Sequence, residues 1–351
     1  MDSASVFLYG AYGYTAKLLI TELLAKGIRP LLGGRNAGKL KEVADAHGLP
    51  FVAGKAEDVA VVLRQHPAIK LVVNCAGPFA DTFDGVASAC MDHKVHYIDI
   101  TGEIEVFEKA LAWGSKASDA GIMLMPGTGF DVVPSDCLAL HLKQRLPSAT
   151  SLELAFYGTG GVSRGTALTM VRSIGKGGAI RKDGKIVPVP MDHSIKEFDF
   201  FGKKKICTAI PWGDVSTAYF TTGIPNIVVY TVLPKSSGGF SKVIGGLEKI
   251  PVLNLIPKAI HAMIRAFMSG PNADVRLNAR SYLIGEAKDA AGQVARARLK
   301  TREGYTLTAI TCANITERIL KGDFKTGFQT PAACYGKGLI LEVEGVVLED
   351  C

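Results

Sequence analysis

The stretch from Val6 to Gly27, VFLYGAYGYTAKLLITELLAKG, constrains the fold more than any other part of the chain. Residues 6–10 read as a short apolar strand, Ala11 to Gly13 as a tight turn, and from Tyr14 the apolar residues recur at helical spacing. A strand that enters a helix through so short a glycine turn packs that helix back onto the strand, which is the opening unit of a parallel sheet.

The pattern continues. Strand candidates follow at 30–34, 50–54, 71–77, 96–100 and 122–127, separated by amphipathic segments such as AGKLKEVADAHG, which Asn36 would open as N-cap and Gly48 would close. Six short apolar strands alternating with helices predict a doubly wound α/β domain, a Rossmann sheet, with its ligand outside the carboxyl ends of the strands. After Gly127 the rhythm changes to longer strands, among them SLELAFYG, IVVYTVLP and the pair RSYLIGEAKD and QVARARLKTR, which reads as a hairpin. A second α/β domain with a largely antiparallel sheet is expected there. SRGTALTMVRSIGKGG and YTLTAITCANITERILKG read as helices in this half.

The 351 residues suit two domains, and an apolar fraction of 48% can fill a large core. The net charge of +7 is spread over the chain, with one cluster at Lys203 to Lys205, and basic and aromatic residues do not interleave along one segment. Nucleic acid is therefore not expected as a partner. Seven scattered cysteines without a C-x-x-C pair point to reduced thiols in a cytoplasmic protein, and the N-terminal residues carry no basic region of a signal peptide. No apolar run reaches the ~18 residues of a membrane span. His93 and His96 lack a third ligand, so no metal is expected.

The opening turn has the spacing G-x-x-G-x-x-A. Gly10 would allow the tight turn, Gly13 the approach of backbone to a pyrophosphate and Ala16 the packing of helix on strand, while Ala11 and Tyr12 complete the loop. The amides of Tyr14 and Thr15 would face the phosphates at the positive end of the helix dipole. Unaided, the same glycines describe any tight turn after a strand. The second strand ends in LLGGRN, with no acid for a ribose diol and with Arg35 where a 2′-phosphate would lie, so NADP(H) is expected over NAD. Arg35 also reads as an exposed side chain and Asn36 as a helix cap. Ala76, Gly77 and Pro78 end the fourth strand in a rigid loop with room for a cofactor ribose; YIDITGE brings Asp99, Thr101 and Glu103 to the same edge, where Glu103 reads equally as a helix N-terminal acid.

Taken in order, GAYGYTA, LLGGRN, VVNCAGPF, HYIDITGE, PGTGFDVVPSDCLAL, SRGTALTMV, GYTLTA and QTPAACYGKGLI resemble the saccharopine dehydrogenase-like reductases, including the trans-acting enoyl reductases, over nearly the whole chain. Tyr12 in the turn and Ala16 as the third small residue depart from the usual pattern at positions that tolerate them. The resemblance implies an NADP-binding Rossmann domain (1–133), an inserted substrate or dimerisation domain (134–329), a C-terminal segment (330–351) returning to the first domain, and an NADP-linked reduction. Arg164, Arg172 and Arg181 form no compact basic constellation, which argues against saccharopine itself as substrate.

For catalysis the residues offer Asp131, just past the sixth strand, and Tyr157 and Arg164 in YGTGGVSRGT, a glycine-rich loop placed to meet the nicotinamide from the second domain. Each has a plainer reading: Asp131 as a loop acid bound to backbone amides, Arg164 as an exposed side chain. Ser135 and Asp136 follow Pro134 and read as helix initiation. No Y-x-x-x-K is present.

Residues 240–271 are apolar with basic residues along one side. A lid over an apolar substrate, a homodimer interface and peripheral membrane contact are three readings of that segment. The chain thus reads as a reductase of an activated C=C (enoyl) or C=N bond in an apolar metabolite; the alternatives are an atypical short-chain reductase, or a redox-sensing or lipid-associated protein that binds the nucleotide without turnover.

Overall fold

The computed structural model describes residues 4–161, 163, 177–190, 193–232 and 270–351. In the first half it places β1 (Val6–Tyr9), α1 (Tyr14–Ala25), β2 (Leu31–Gly34), α2 (Ala37–His47), β3 (Phe51–Ala53), α3 (Val59–Gln65), β4 (Leu71–Asn74), α4 (Phe83–His93), β5 (His96–Asp99), α5 (Ile104–Ala112), α6 (Gly114–Asp119) and β6 (Met123–Met125). The second half contains α7 (Val133–Arg145), β7 (Ala149–Gly158), β8 (Gly178–Lys182), β9 (Lys185–Val189), β10 (Ile195–Phe200), β11 (Lys203–Ala209), α8 (Asp214–Thr222), β12 (Asn226–Thr231), α9 (Ala273–Asn278), β13 (Arg280–Asp289), β14 (Val294–Arg302), α10 (Gly304–Leu320), β15 (Gly327–Phe328), α11 (Pro331–Tyr335) and β16 (Val347–Asp350).

The first sheet is parallel, in the order β15-β6-β5-β4-β1-β2-β3. Its central strands are buried at every residue, as helices on both faces require. Helix α1 buries Ala16, Leu19, Ile20 and Leu23, the i, i+3, i+4, i+7 stripe read from the sequence. Helix α2 has the expected ends: Asn36 Oδ1 accepts from Lys39 N–H at 2.9 Å, and Gly48 stands in the left-handed region.

The second sheet is mixed and mostly antiparallel, with the path β10-β11-β12-β7-β13-β14-β16 among the described residues. Strands β13 and β14 form the expected hairpin, and β14 alternates outward residues with Ala295, Ala297, Leu299 and Thr301 inward. The parallel pair is β12 with β7. One face rests on α7 and α8 in an apolar core that runs on without a break into the first domain. The other face carries a separate cluster of Tyr157, Tyr282, Tyr230, Phe198 and Phe200 beneath the β10-β11 hairpin.

The chain crosses back to the first domain earlier than residue 330. Helix α10 lies along α1, with Lys26 Nζ 2.7 Å from Glu317, and β15 extends the parallel sheet beside β6. The C-terminal strand β16 then pairs with β14 in the second sheet. The two domains are therefore laced together by three passes of chain, which no local periodicity encodes.

Candidate functional site

At the end of β1 the backbone turns through Gly10, whose φ is +83°; a Cβ there would lie 2.7 Å from the Ala76 nitrogen. Side chains other than hydrogen are excluded both by that φ and by the packing of the β1 turn on the β4 loop. The amides of Gly10 and Ala11 donate to Gly33 O at 2.9 and 3.0 Å, and Gly13 N–H donates to Gly10 O at 2.9 Å. Helix α1 then begins at Tyr14 with no side-chain cap and no acid in its first turn. The free amides at its start and the positive end of its dipole suit an anion. Ala11 and Ala16 are fully buried and act by packing, whereas Tyr12, Gly13, Tyr14 and Thr15 are partly open.

Arg35 is exposed directly after β2, and Asn36 caps α2. This is the strand end at which a dinucleotide's adenosine ribose is met in such sheets. The residues present therefore fit an NADP phosphate better than a diol-binding acid would.

The β4 loop is held in place by buried polar groups. Asn74 is fully buried, accepts from Ala76 N–H at 3.0 Å and donates to Tyr97 Oη and Thr82 Oγ1 at 3.2 and 3.1 Å. Glu103 accepts from the amides of Phe79 and Ala80, both at 2.9 Å, so its carboxylate secures the loop that carries Ala76, Gly77 and Pro78. Thr101 corrects an expectation: it is fully buried and its hydroxyl accepts from Glu103 N–H at 3.0 Å, so it supports the loop from beneath and cannot touch a cofactor with its side chain. Asp99 is also buried, accepting from Tyr97 Oη at 2.7 Å and from the Thr101 and Gly127 amides at 2.9 Å. His96 Nδ1 accepts from Met123 N–H at 3.0 Å.

Asp131 lies at the junction of the two domains. A Cβ on Gly102 would come within 2.7 Å of its Oδ2, and its carbonyl accepts from Trp212 Nε1 at 3.1 Å. Among the described residues its carboxylate has no hydrogen-bond partner, backbone amides included, and burial pushes its pKa up to about 7. Phe130, Phe156 and Trp212 form an aromatic wall beside it, with ring centroids 5.9 and 4.9 Å apart along the series. Thr308 on α10 anchors this turn, its Oγ1 accepting from Phe130 N–H at 3.0 Å.

Tyr157 does not join this group. Successive strand residues face opposite sides of a sheet, and Tyr157 points into the aromatic cluster on the far face, stacked on Tyr282 at 5.0 Å; Phe156 faces the junction instead. Arg164 and Arg172 lie outside the described residues, as do most of the helix predicted from Ser163 and nearly all of 240–271. Arg181 is buried, donates to the Val215 and Gly184 carbonyls and pairs with Glu108 at 3.2 Å, which ties β8 to α5.

Asp214, which sequence reasoning did not place at the site, stands near both Asp131 and Asp136. Asp136 accepts from Thr221 Oγ1 at 2.5 Å and Ala332 N–H at 2.8 Å, and burial raises it to about 6. Among the described residues neither buried Asp214 oxygen has a hydrogen bond of good geometry, and burial, opposed by the Ser135 hydroxyl, raises it to about 8. A single acid in PWGDVS carries no local signal for this. Among the described residues no three His, Cys, Asp or Glu side chains come together as a metal site, and no helix is long and apolar enough to cross a membrane.

Residues 6–125 match the family model of the saccharopine dehydrogenase NADP-binding domain. A probable mitochondrial saccharopine dehydrogenase-like oxidoreductase of Arabidopsis thaliana is 29% identical over 168 residues, covering 43% of this chain and 37% of that protein. The trans-acting enoyl reductase of Mycobacterium ulcerans is 27% identical over 158 residues, covering 43% and 38%. The chain thus spans well under half the length of these relatives. In fold it is similar over 99% of both chains to apo saccharopine dehydrogenase (L-Glu forming) from Saccharomyces cerevisiae, with a TM-score of 0.68 at 14% identity.

Proposed function

Taking residues 6–125 as a saccharopine dehydrogenase NADP-binding domain, we propose that the chain is an NADPH-dependent oxidoreductase that reduces an activated C=C or C=N bond of an apolar metabolite. The observation that carries this reading is one edge of one sheet. The Gly10–Gly13 turn, the uncapped start of α1 and exposed Arg35 meet there, while Asp131 stands at the adjoining domain junction. Gly13, Tyr14 and Thr15 bind the pyrophosphate in this reading, Arg35 the 2′-phosphate, and the loop of Ala76, Gly77 and Pro78 bounds the ribose.

Bound NADPH supplies the hydride. Asp131 then acts as the proton donor: a carboxyl held near pH 7 is half protonated where the enzyme works and can give its proton to the carbon or nitrogen that completes the reduction. The apolar wall of Phe130, Phe156 and Trp212 supports an apolar substrate beside it.

The test combines NADPH binding with NADPH oxidation over a panel of enones, enoyl thioesters and cyclic imines of graded apolarity. Oxidation with some panel members, and its loss in Asp131→Asn with NADPH binding intact, is the expected result. Tight binding without oxidation of any member would favour the nucleotide-binding protein without turnover. Full activity in Asp131→Asn would remove Asp131 as proton donor.

A further inference from the structure

Arg276 reaches the start of α1 from the opposite half of the molecule. Its Nη1 donates to Tyr14 Oη at 3.0 Å and to Pro271 O at 2.9 Å, and Tyr14 Oη donates to the same carbonyl at 2.5 Å. The backbone before α9 is pressed onto Tyr14: Gly270 has a φ of +90°, and a Cβ there would lie 2.8 Å from the Tyr14 ring. On its other side the Tyr14 ring meets Tyr305, the second residue of α10, edge to face at 5.1 Å. Tyr14 is thereby the point where the nucleotide turn, α9 and α10 converge.

The charges at this point do not balance within the described protein. The first turn of α1 has no acid and no side-chain cap. Arg276 forms no ion pair among the described residues, and its Nε and Nη2 donate to none of them. Glu303 faces the same region, but its carboxylate accepts from the Tyr305 and Thr306 amides and serves as cap of α10. A guanidinium bound to the phenol of the first residue of α1 adds positive charge on the side of the helix's positive end, and a pyrophosphate presents oxygens that fit the planar donor fork.

We propose that Arg276 is a pyrophosphate-binding residue for the dinucleotide, contributed across the cleft by the second half of the chain and aimed by Tyr14. This rests on the cofactor reading above. It differs from the role of Arg35, because the pyrophosphate is common to NADPH and NADH whereas the 2′-phosphate is not.

The test is equilibrium titration of the full chain with NADPH and with NADH. Arg276→Ala is expected to weaken both by about tenfold, the loss of a charge-assisted contact, with Arg276→Lys intermediate. Tyr14→Phe, which keeps the ring and frees the guanidinium, should weaken both nucleotides by a similar factor relative to the unaltered chain and serves if Arg276→Ala fails to fold; unchanged affinity for both in that variant would then count against the proposal. Unchanged affinity for both nucleotides in folded Arg276→Ala would overturn the proposal, and so would a loss confined to NADPH, which would move Arg276 to the 2′-phosphate. If the unaltered chain binds neither nucleotide, the cofactor reading itself falls.

Discussion

At the scale of single residues, Arg35 and Asp131 follow opposite logic. Arg35 is exposed, so in the proposed reading its value lies in what it meets from solvent, a phosphate at the end of β2. Arg35→Ser is expected to weaken NADPH by about tenfold or more while leaving NADH nearly unchanged, as read by nucleotide titration. Equal weakening of both would remove the 2′-phosphate assignment. Asp131 matters through what it lacks. It has no hydrogen-bond partner among the described residues and burial raises it to about 7, which is why the proposed mechanism makes it the proton donor. Tyr157 teaches the reverse lesson, because a one-residue step along β7 turned the expected catalytic phenol to the far face and set Phe156 at the junction.

At the scale of elements, the loop after β4 shows how a candidate site is held in place by hydrogen bonds from beneath and beside it. Asn74, Thr82 and Thr101 are tied into it, and Glu103 takes two of its amides. Glu103→Ala should cost about 1–3 kcal/mol of stability, measured by denaturant unfolding, and should weaken nucleotide binding because two amides are left without their acceptor. Stability unchanged within error would show that solvent replaces the carboxylate fully. In this element the motif NCAGPF was legible in the sequence, as was YIDITGE. Their connection was not, since residues 23 and 24 positions apart meet only when β4 and β5 lie side by side.

At the scale of the whole molecule, the junction between the domains concentrates carboxyls whose pKa burial raises: Asp136 to about 6, Asp131 to about 7 and Asp214 to about 8. In an unfolded chain each would release its proton near pH 4. The folded state therefore holds more protons between about pH 4 and pH 8, and stability from these groups falls as pH rises through that window. Asp214→Asn removes an ionisation that the fold penalises without changing the shape of the side chain. The variant should melt above the unaltered chain at pH 8.5 and lose that advantage at pH 5, in thermal scans at both values. A lower melting temperature at pH 8.5 would mean that the Asp214 carboxylate is stabilising.

The alternation of strands and helices, the glycine turn and the caps of α2 are properties of neighbours in sequence, and each was legible in the chain alone because backbone geometry and hydrophobic period act locally. So were the places of Gly10 and Gly13 in the turn after β1 and of Arg35 at the end of β2, on which the proposed cofactor edge rests. The convergence of Arg276, Tyr14 and Tyr305, the pairing of Arg181 with Glu108, the return of β16 to the second sheet and the burial of Asp214 were decided only by the fold. These features depend on distances between segments far apart in the chain, and burial, which sets both the carboxyl protons and the face a side chain takes, exists only once those segments have packed.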